Sequence, residues 1–208
     1  MDAEELKRGL AREDFARLLA ACYYQPGAEL GEEGVFASLI AAAPLIDLTL
    51  AEQAVVLDQA FAAETKEELL LDYSRLFLGP FEILAKPYGS VWLEGEKIIM
   101  GESTMAVAAL YQTAGFALAD EFREAPDHVA AELEFLYLLI FRENEARRSA
   151  DMEGLQQILR LKKKFLEHHL GQWIRPFAEA IQHGAQTGFY HRLALLTDAF
   201  VQIEKGWA

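Results

Sequence analysis

The chain has 208 residues, 52% of them apolar, and a net charge of −14, which is enough apolar residue for a buried core and too much for a disordered chain. The excess of acid argues against a groove for a nucleic-acid backbone, which needs clustered Lys and Arg, and against an anionic membrane surface; it favours cationic partners. The lone cysteine, Cys22, excludes an internal disulfide and any Cys-x-x-Cys site, and fits a reducing compartment.

Helical periodicity runs through most of the chain. Leu6, Leu10, Phe15, Leu18, Leu19 and Cys22 predict a first helix with a break near Gly9, after an acidic start, Met1-Asp-Ala-Glu-Glu, that lacks the apolar core of a signal peptide. Phe36, Leu39 and Ile40 predict a second helix, stopped by Pro44. Thr49-x-x-Glu52 has the form of a capping box, opening a helix with Leu50, Leu57, Ala60 and Phe61. Thr65-x-x-Glu68 repeats the signal ahead of Leu69, Tyr73, Leu76 and Phe77, which share one face until Gly79-Pro80 ends the helix.

From Gly79 to about Gly101 the period is lost. Val91-Trp-Leu and Lys97-Ile-Ile-Met suggest a small hairpin in a long loop that also carries Pro87, Tyr88 and Trp92. Those aromatics read equally as a lid on the core or as a ligand surface. Helix resumes near Ser103 and runs to Gly115. Asp127 is the expected N-cap of a long helix with Leu133, Phe135, Leu136, Leu139 and Ile140, running to Arg148. Asp151 caps the next, with Leu155, Ile158, Leu159 and Phe165 inward. A short helix from Trp173 to Ile181 has Pro176 in its first turn, and Leu193, Leu196, Thr197, Phe200 and Ile203 make the last. The expected fold is all-α, a single globular bundle of roughly nine to eleven helices with one long aromatic loop, across residues 1–208. No run approaches the roughly 20 apolar residues of a membrane span.

Enzyme signatures are missing: there is no Gly-x-Gly-x-x-Gly, Walker loop, Gly-x-Ser-x-Gly or His-Glu-x-x-His. His128 and Glu132 stand at i and i+4, a metal-compatible spacing, but two ligands fall short of a catalytic zinc site. A small metal-dependent hydrolase built on Asp127, His128 and Glu132 is the weakest alternative. Lys162-Lys-Lys164 and His168-His169 read as cations complementing a helix C-terminus. No cofactor is expected.

Taken together, Leu76-Phe-Leu-Gly-Pro80, Pro87-Tyr-Gly-Ser-Val-Trp92, Gly101-Glu-Ser-Thr104 and Glu124-x-Pro-Asp-His128 with Glu132-Leu-x-Phe-Leu136 resemble the TorD/DmsD family of redox-enzyme maturation chaperones. The Gly-Pro-Phe to Gly-Ser-Val-Trp loop is nearer to the DmsD branch. The resemblance implies an all-α cytoplasmic chaperone, not an enzyme. Its partner would be the twin-arginine leader peptide of a molybdenum-cofactor oxidoreductase, held from export until the cofactor is loaded, with the Tat export machinery as a further partner. The long loop, as a hinge for exchanging helices between protomers, leaves both a monomer and a domain-swapped dimer open. The implied peptide-binding residues are Tyr73, Leu76, Phe77, Pro87, Tyr88, Trp92, Pro126, Asp127 and His128; charge complementarity adds Glu124, with Asp127, as the expected partners of the leader's arginines. Tyr73 and Tyr88 stand where the DmsD branch often carries Trp, and Pro126 directly precedes Asp127 where Glu-Pro-x-Asp-His is more usual. No phosphate loop is present, so nucleotide binding is not carried over. The alternative within the same resemblance is a NarJ-type assembly factor that grips the oxidoreductase body.

Overall fold

The computed structural model describes residues 2–27, 30, 34–79, 82–95, 100–119 and 122–208. Its regular elements are helical: α1 (Ala3–Ala21), α2 (Val35–Ile46), α3 (Leu48–Ala63), α4 (Lys66–Tyr73), α5 (Gly89–Glu94), α6 (Glu102–Ala114), α7 (Val129–Arg148), α8 (Met152–His168), α9 (Leu170–Gly184) and α10 (Gly188–Gly206). The only sheet-like pairing among the described residues is one isolated bridge between Tyr88 and His128. None of the described helices is long and apolar enough to cross a membrane.

Local chemistry explains most helix ends. Asp2 and Glu5 form a reciprocal capping box at α1, and Thr65 and Glu68 form the expected one at α4. Asp151 caps α8 by accepting from the Gly154 N–H. Gly115, at φ 63°, closes α6 in the left-handed conformation that glycine adopts without penalty.

Several expected boundaries move. Gly9 does not break α1: it lies against Asn144 of α7, where an added Cβ would come within 2.4 Å of the Asn144 Oδ1. The glycine marks a close helix crossing. Pro44 sits inside the last turn of α2, which continues to Ile46. The cap of α3 is Asp47, which accepts from the Thr49 N–H at 2.7 Å, so Thr49 lies inside the helix and Thr49-x-x-Glu52 is not its box. α9 starts at Leu170, leaving Pro176 in its interior. The expected hairpin does not form, because Val91-Trp-Leu lies in α5; its other half, Lys97–Ile99, falls outside the described residues. The long aromatic loop therefore contains a helix.

One element had no signal. After Tyr73 the chain makes a π-turn over Ser74–Leu78, closed by the Gly79 N–H on the Ser74 carbonyl at 2.8 Å. Leu76 and Phe77 both point inward from this turn, and the Leu76 carbonyl accepts the Ala85 N–H at 2.8 Å, tying the following loop back to the helix.

A continuous apolar core runs from Phe15 of α1 to Phe200 of α10, with Trp92 and Leu93 of α5 packed against it. α7 lies along α1 and α8; α9 packs between α8, α10 and the short α5. Four charges are sealed inside the bundle. Arg12 donates to Glu204 at 2.6 and 2.7 Å and to Glu143 at 3.3 and 3.4 Å. Lys162 donates to Glu143 at 2.6 Å and lies 3.5 Å from Glu204. Burial alone would raise the Glu143 carboxyl, but Arg12 and Lys162 outweigh it and bring it down to about 2. The basic stretch is thus split: Lys162 is a core cation joining α8 to α7 and α10, not a dipole complement. His169 is buried, and burial lowers it to about 4, so it is neutral near pH 7. His168, in the last turn of α8, is exposed, as a dipole complement would be.

Candidate functional site: a crossing of two loops

Two loops cross in front of α9. One is Ala85–Tyr88, leading into α5; the other is Phe122–His128, leading into α7. The Val129 N–H donates to the Pro87 carbonyl at 2.8 Å and the Gly89 N–H to the Asp127 carbonyl at 2.9 Å. Each loop thereby satisfies the other's backbone at the start of a helix.

The sequence places Asp127 as the cap of α7, and the structure moves that role by one residue. His128 is the N-cap: its Nδ1 accepts from the Ala130 N–H at 3.2 Å. Accepting at Nδ1 requires that nitrogen to be unprotonated. Burial lowers His128 to about 4 against the opposing pull of Glu124 and Asp127, so the ring is neutral near pH 7. Asp127 is buried and caps a different helix. Its Oδ2 accepts from the Ser90 N–H, in the first turn of α5, at 2.8 Å.

Beneath this crossing lies a buried acidic layer. Glu132 is fully buried, with Oε2 accepting the Trp173 indole N–H at 3.1 Å. Burial raises its carboxyl well above the usual range, with Asp127 adding to the rise. Asp127 Oδ1, Glu132 Oε1 and Ser90 Oγ are buried without a protein partner. Gly89 sits over the layer: a Cβ there would come within 2.9 Å of the Trp173 Nε1 and 3.2 Å of Glu132 Oε1. Glu132 therefore serves the packing of α5 on α9. Among the described residues no three His, Cys, Asp or Glu side chains gather as a metal site.

The outer face is aromatic and acidic. Tyr88 is half-buried and donates its hydroxyl to the exposed Glu124. The Tyr88 ring meets His128 edge-on at 5.5 Å between centroids, and Phe122 meets His128 at 6.0 Å from another side. Trp92 is partly exposed; its indole N–H donates to the Lys86 carbonyl at 2.9 Å and its ring leans on Phe177. Pro126 is partly exposed, with its carbonyl held by the Tyr111 hydroxyl at 2.8 Å.

The ten candidate residues thus fall into two layers. Tyr88, Trp92, Glu124 and Pro126 present atoms to solvent, whereas Tyr73, Leu76, Phe77, Pro87, Asp127 and His128 are buried beneath them. Phe77 packs among Tyr23, Tyr73, Phe177 and Tyr190, and Leu76 is fully enclosed. Sequence reasoning missed Tyr24, Phe122 and Glu134. Tyr24 is exposed, meets Phe122 edge-on at 6.5 Å and donates its hydroxyl to Glu134 at 2.6 Å. A signal existed: Tyr23-Tyr24 directly precedes Gln-Pro-Gly, and aromatics beside Pro and Gly are the same cue that marked Tyr88 and Trp92.

A family model for the nitrate reductase delta subunit matches residues 43–179. A TorD chaperone of Vibrio parahaemolyticus is 28% identical over 140 residues, 67% of this chain and 64% of its own, so the match spans a little under two thirds of that relative's length. The Tat proofreading chaperone DmsD of Salmonella paratyphi A is 31% identical over 195 residues, 90% of this chain and 87% of its own. A solved structure described as a redox enzyme maturation protein from Archaeoglobus fulgidus superposes with a TM-score of 0.51 at 19% identity, over 94% of this chain and 92% of the other, a likeness of fold. The chain belongs to the nitrate reductase delta subunit family, with the TorD and DmsD chaperones among its relatives.

Proposed function

We propose that this protein is a cytoplasmic chaperone that binds the twin-arginine leader of a molybdenum-cofactor oxidoreductase and delays its export until the cofactor is in place. It works by binding and not by catalysis. The observation that carries the reading is the layered loop crossing, in which an exposed rim of Tyr88, Trp92, Glu124 and Pro126 rests on a buried, largely apolar floor. A twin-arginine leader joins a cationic end to an apolar run. The rim offers a carboxylate to the first and ring faces to the second, on a chain whose charge of −14 draws cations in. Tyr73, Leu76, Phe77, Pro87, Asp127 and His128 take part by fixing the rim from below.

The test is calorimetry with three synthetic leaders: Arg-Arg followed by a leucine-rich run, Lys-Lys followed by the same run, and Arg-Arg alone. Lys-Lys should bind more weakly, because Lys does not reproduce the bidentate geometry of Arg on a carboxylate. Loss of the apolar run should cost more. Absence of any binding to the first peptide rejects the reading. The family description, a nitrate reductase subunit, favours a second reading in which the oxidoreductase body is gripped rather than the leader. A leaderless client that binds as tightly as the full precursor would establish it in place of the first.

A further inference from the structure

A second tyrosine–carboxylate pair lies along the same face, outside the residues that the family resemblance assigns. Tyr24 follows α1 and Glu134 lies in the second turn of α7, 110 positions apart in sequence, and the phenol donates to Glu134 Oε1 at 2.6 Å. The pair is built like Tyr88 and Glu124: a phenol holds one carboxylate oxygen and leaves the other open, with a ring face beside it. The two pairs are joined by ring contacts, Tyr24 to Phe122, Phe122 to His128 and His128 to Tyr88. Beside Tyr24 and Glu134 opens a cleft of about 300 Å³ walled by Pro26, Leu30 and Val35. Arg17 stands on its rim but is paired with Asp14 at 3.4 Å.

A guanidinium prefers this combination. It bonds a fixed carboxylate bidentately, stacks on an aromatic face and lays its aliphatic stem along an apolar wall. Two such seats on one face match a ligand with two guanidinium groups close together. We propose that Tyr24–Glu134 and Tyr88–Glu124 are paired arginine seats, each taking one arginine of the leader, so that the requirement for two arginines is read by two separate carboxylates. This rests on the leader-binding reading and adds to it the residues that set its specificity.

The experiment is a double-mutant cycle by calorimetry, using synthetic leaders with Arg-Arg, Lys-Arg, Arg-Lys and Lys-Lys ahead of one leucine-rich run. Glu134→Gln keeps the shape of a partly exposed side chain. It should bind the Arg-Arg peptide about tenfold more weakly and lose discrimination at one arginine only. Glu124→Gln should lose it at the other. Tyr24→Phe, which frees the Glu134 carboxylate while keeping the ring, should give a smaller loss at the same arginine as Glu134→Gln. Unchanged affinity in Glu134→Gln, or a loss spread evenly over both arginines, overturns the two-seat assignment while leaving leader binding intact. Failure of the wild-type protein to bind the Arg-Arg peptide overturns both. Thermal unfolding of each variant at the wild-type midpoint checks that binding alone has changed.

Discussion

The cluster of Arg12, Glu143, Lys162 and Glu204 and the layer of Ser90, Asp127 and Glu132 are both buried and both polar, yet they are built in opposite ways. In the first, two cations and two carboxylates face one another and each makes at least one charge-assisted bond. In the second, burial dominates: it raises the Glu132 carboxyl well above the usual range and keeps His128 neutral near pH 7, and Asp127 Oδ1, Glu132 Oε1 and Ser90 Oγ have no protein partner among the described residues. A satisfied cluster fixes the packing of α1, α7, α8 and α10. A half-satisfied one lies beneath the surface proposed to bind. The contrast separates a part of the molecule that holds the fold from a part that shapes a surface, and it can be broken from either side.

The largest effect is expected in the first cluster. Lys162→Met leaves Glu143 and Glu204 to share Arg12 and should cost about 3–5 kcal/mol of stability in denaturant unfolding. Leader affinity of the folded fraction should not change; a parallel loss of affinity would mean that the two regions are coupled. Leu76→Ala, in the floor, should cost about 2–5 kcal/mol of stability, as large-to-small changes at enclosed sites do. Trp92→Ala inverts that pattern. It should keep its helical circular dichroism and lose about 30-fold in leader affinity, roughly 2 kcal/mol, the scale of an aromatic anchor. If Trp92→Ala unfolds as readily as Leu76→Ala, Trp92 belongs to the core and not to the rim.

The pH dependence distinguishes Glu132 from Glu143 and His128 by sign. Glu132 has a folded pKa above its unfolded value, so its contribution is complete below about pH 4.5 and is lost as pH rises through the folded value. Glu143 and His128 have lowered values, so theirs are lost as pH falls, towards about 2 and about 4 respectively. Glu132→Gln keeps an acceptor for Trp173 and cannot ionise. Its melting temperature should match wild type at pH 4 and exceed it at pH 8; identical curves would show that Glu132 has no raised pKa. The smallest effect belongs to Asp127→Asn, whose Oδ1 still accepts from the Ser90 N–H. Capping replacements of this kind cost about 1 kcal/mol or less. Asp127→Ala should cost more and should weaken leader binding through a loosened α5. A full loss of binding in Asp127→Asn with an unchanged melting temperature would return its charge to direct contact with the leader.

What the sequence determined by itself was local or carried in ordered motifs. Helices with a strong period and a near cap were legible, α4 from Thr65 and Glu68 and α8 from Asp151, because a cap and its target lie within three residues of each other. The residues of the loop crossing were legible as a set, through the motifs around Pro87-Tyr88 and Asp127-His128, although not their layering. Tertiary structure decided the rest. Gly9 reads as a helix breaker until Asn144 arrives against it. Lys162 reads as a surface cation until Glu143 and Glu204 close over it. Asp127 reads as the cap of its own helix until Ser90, 37 positions away, supplies a nearer N–H. Tyr24 had no visible partner until α7 brought Glu134 across 110 positions. Each is a pairing between segments far apart in the chain, and a hydrogen bond or a buried charge is specified by whichever group the fold brings within about 3 Å, which no local pattern encodes.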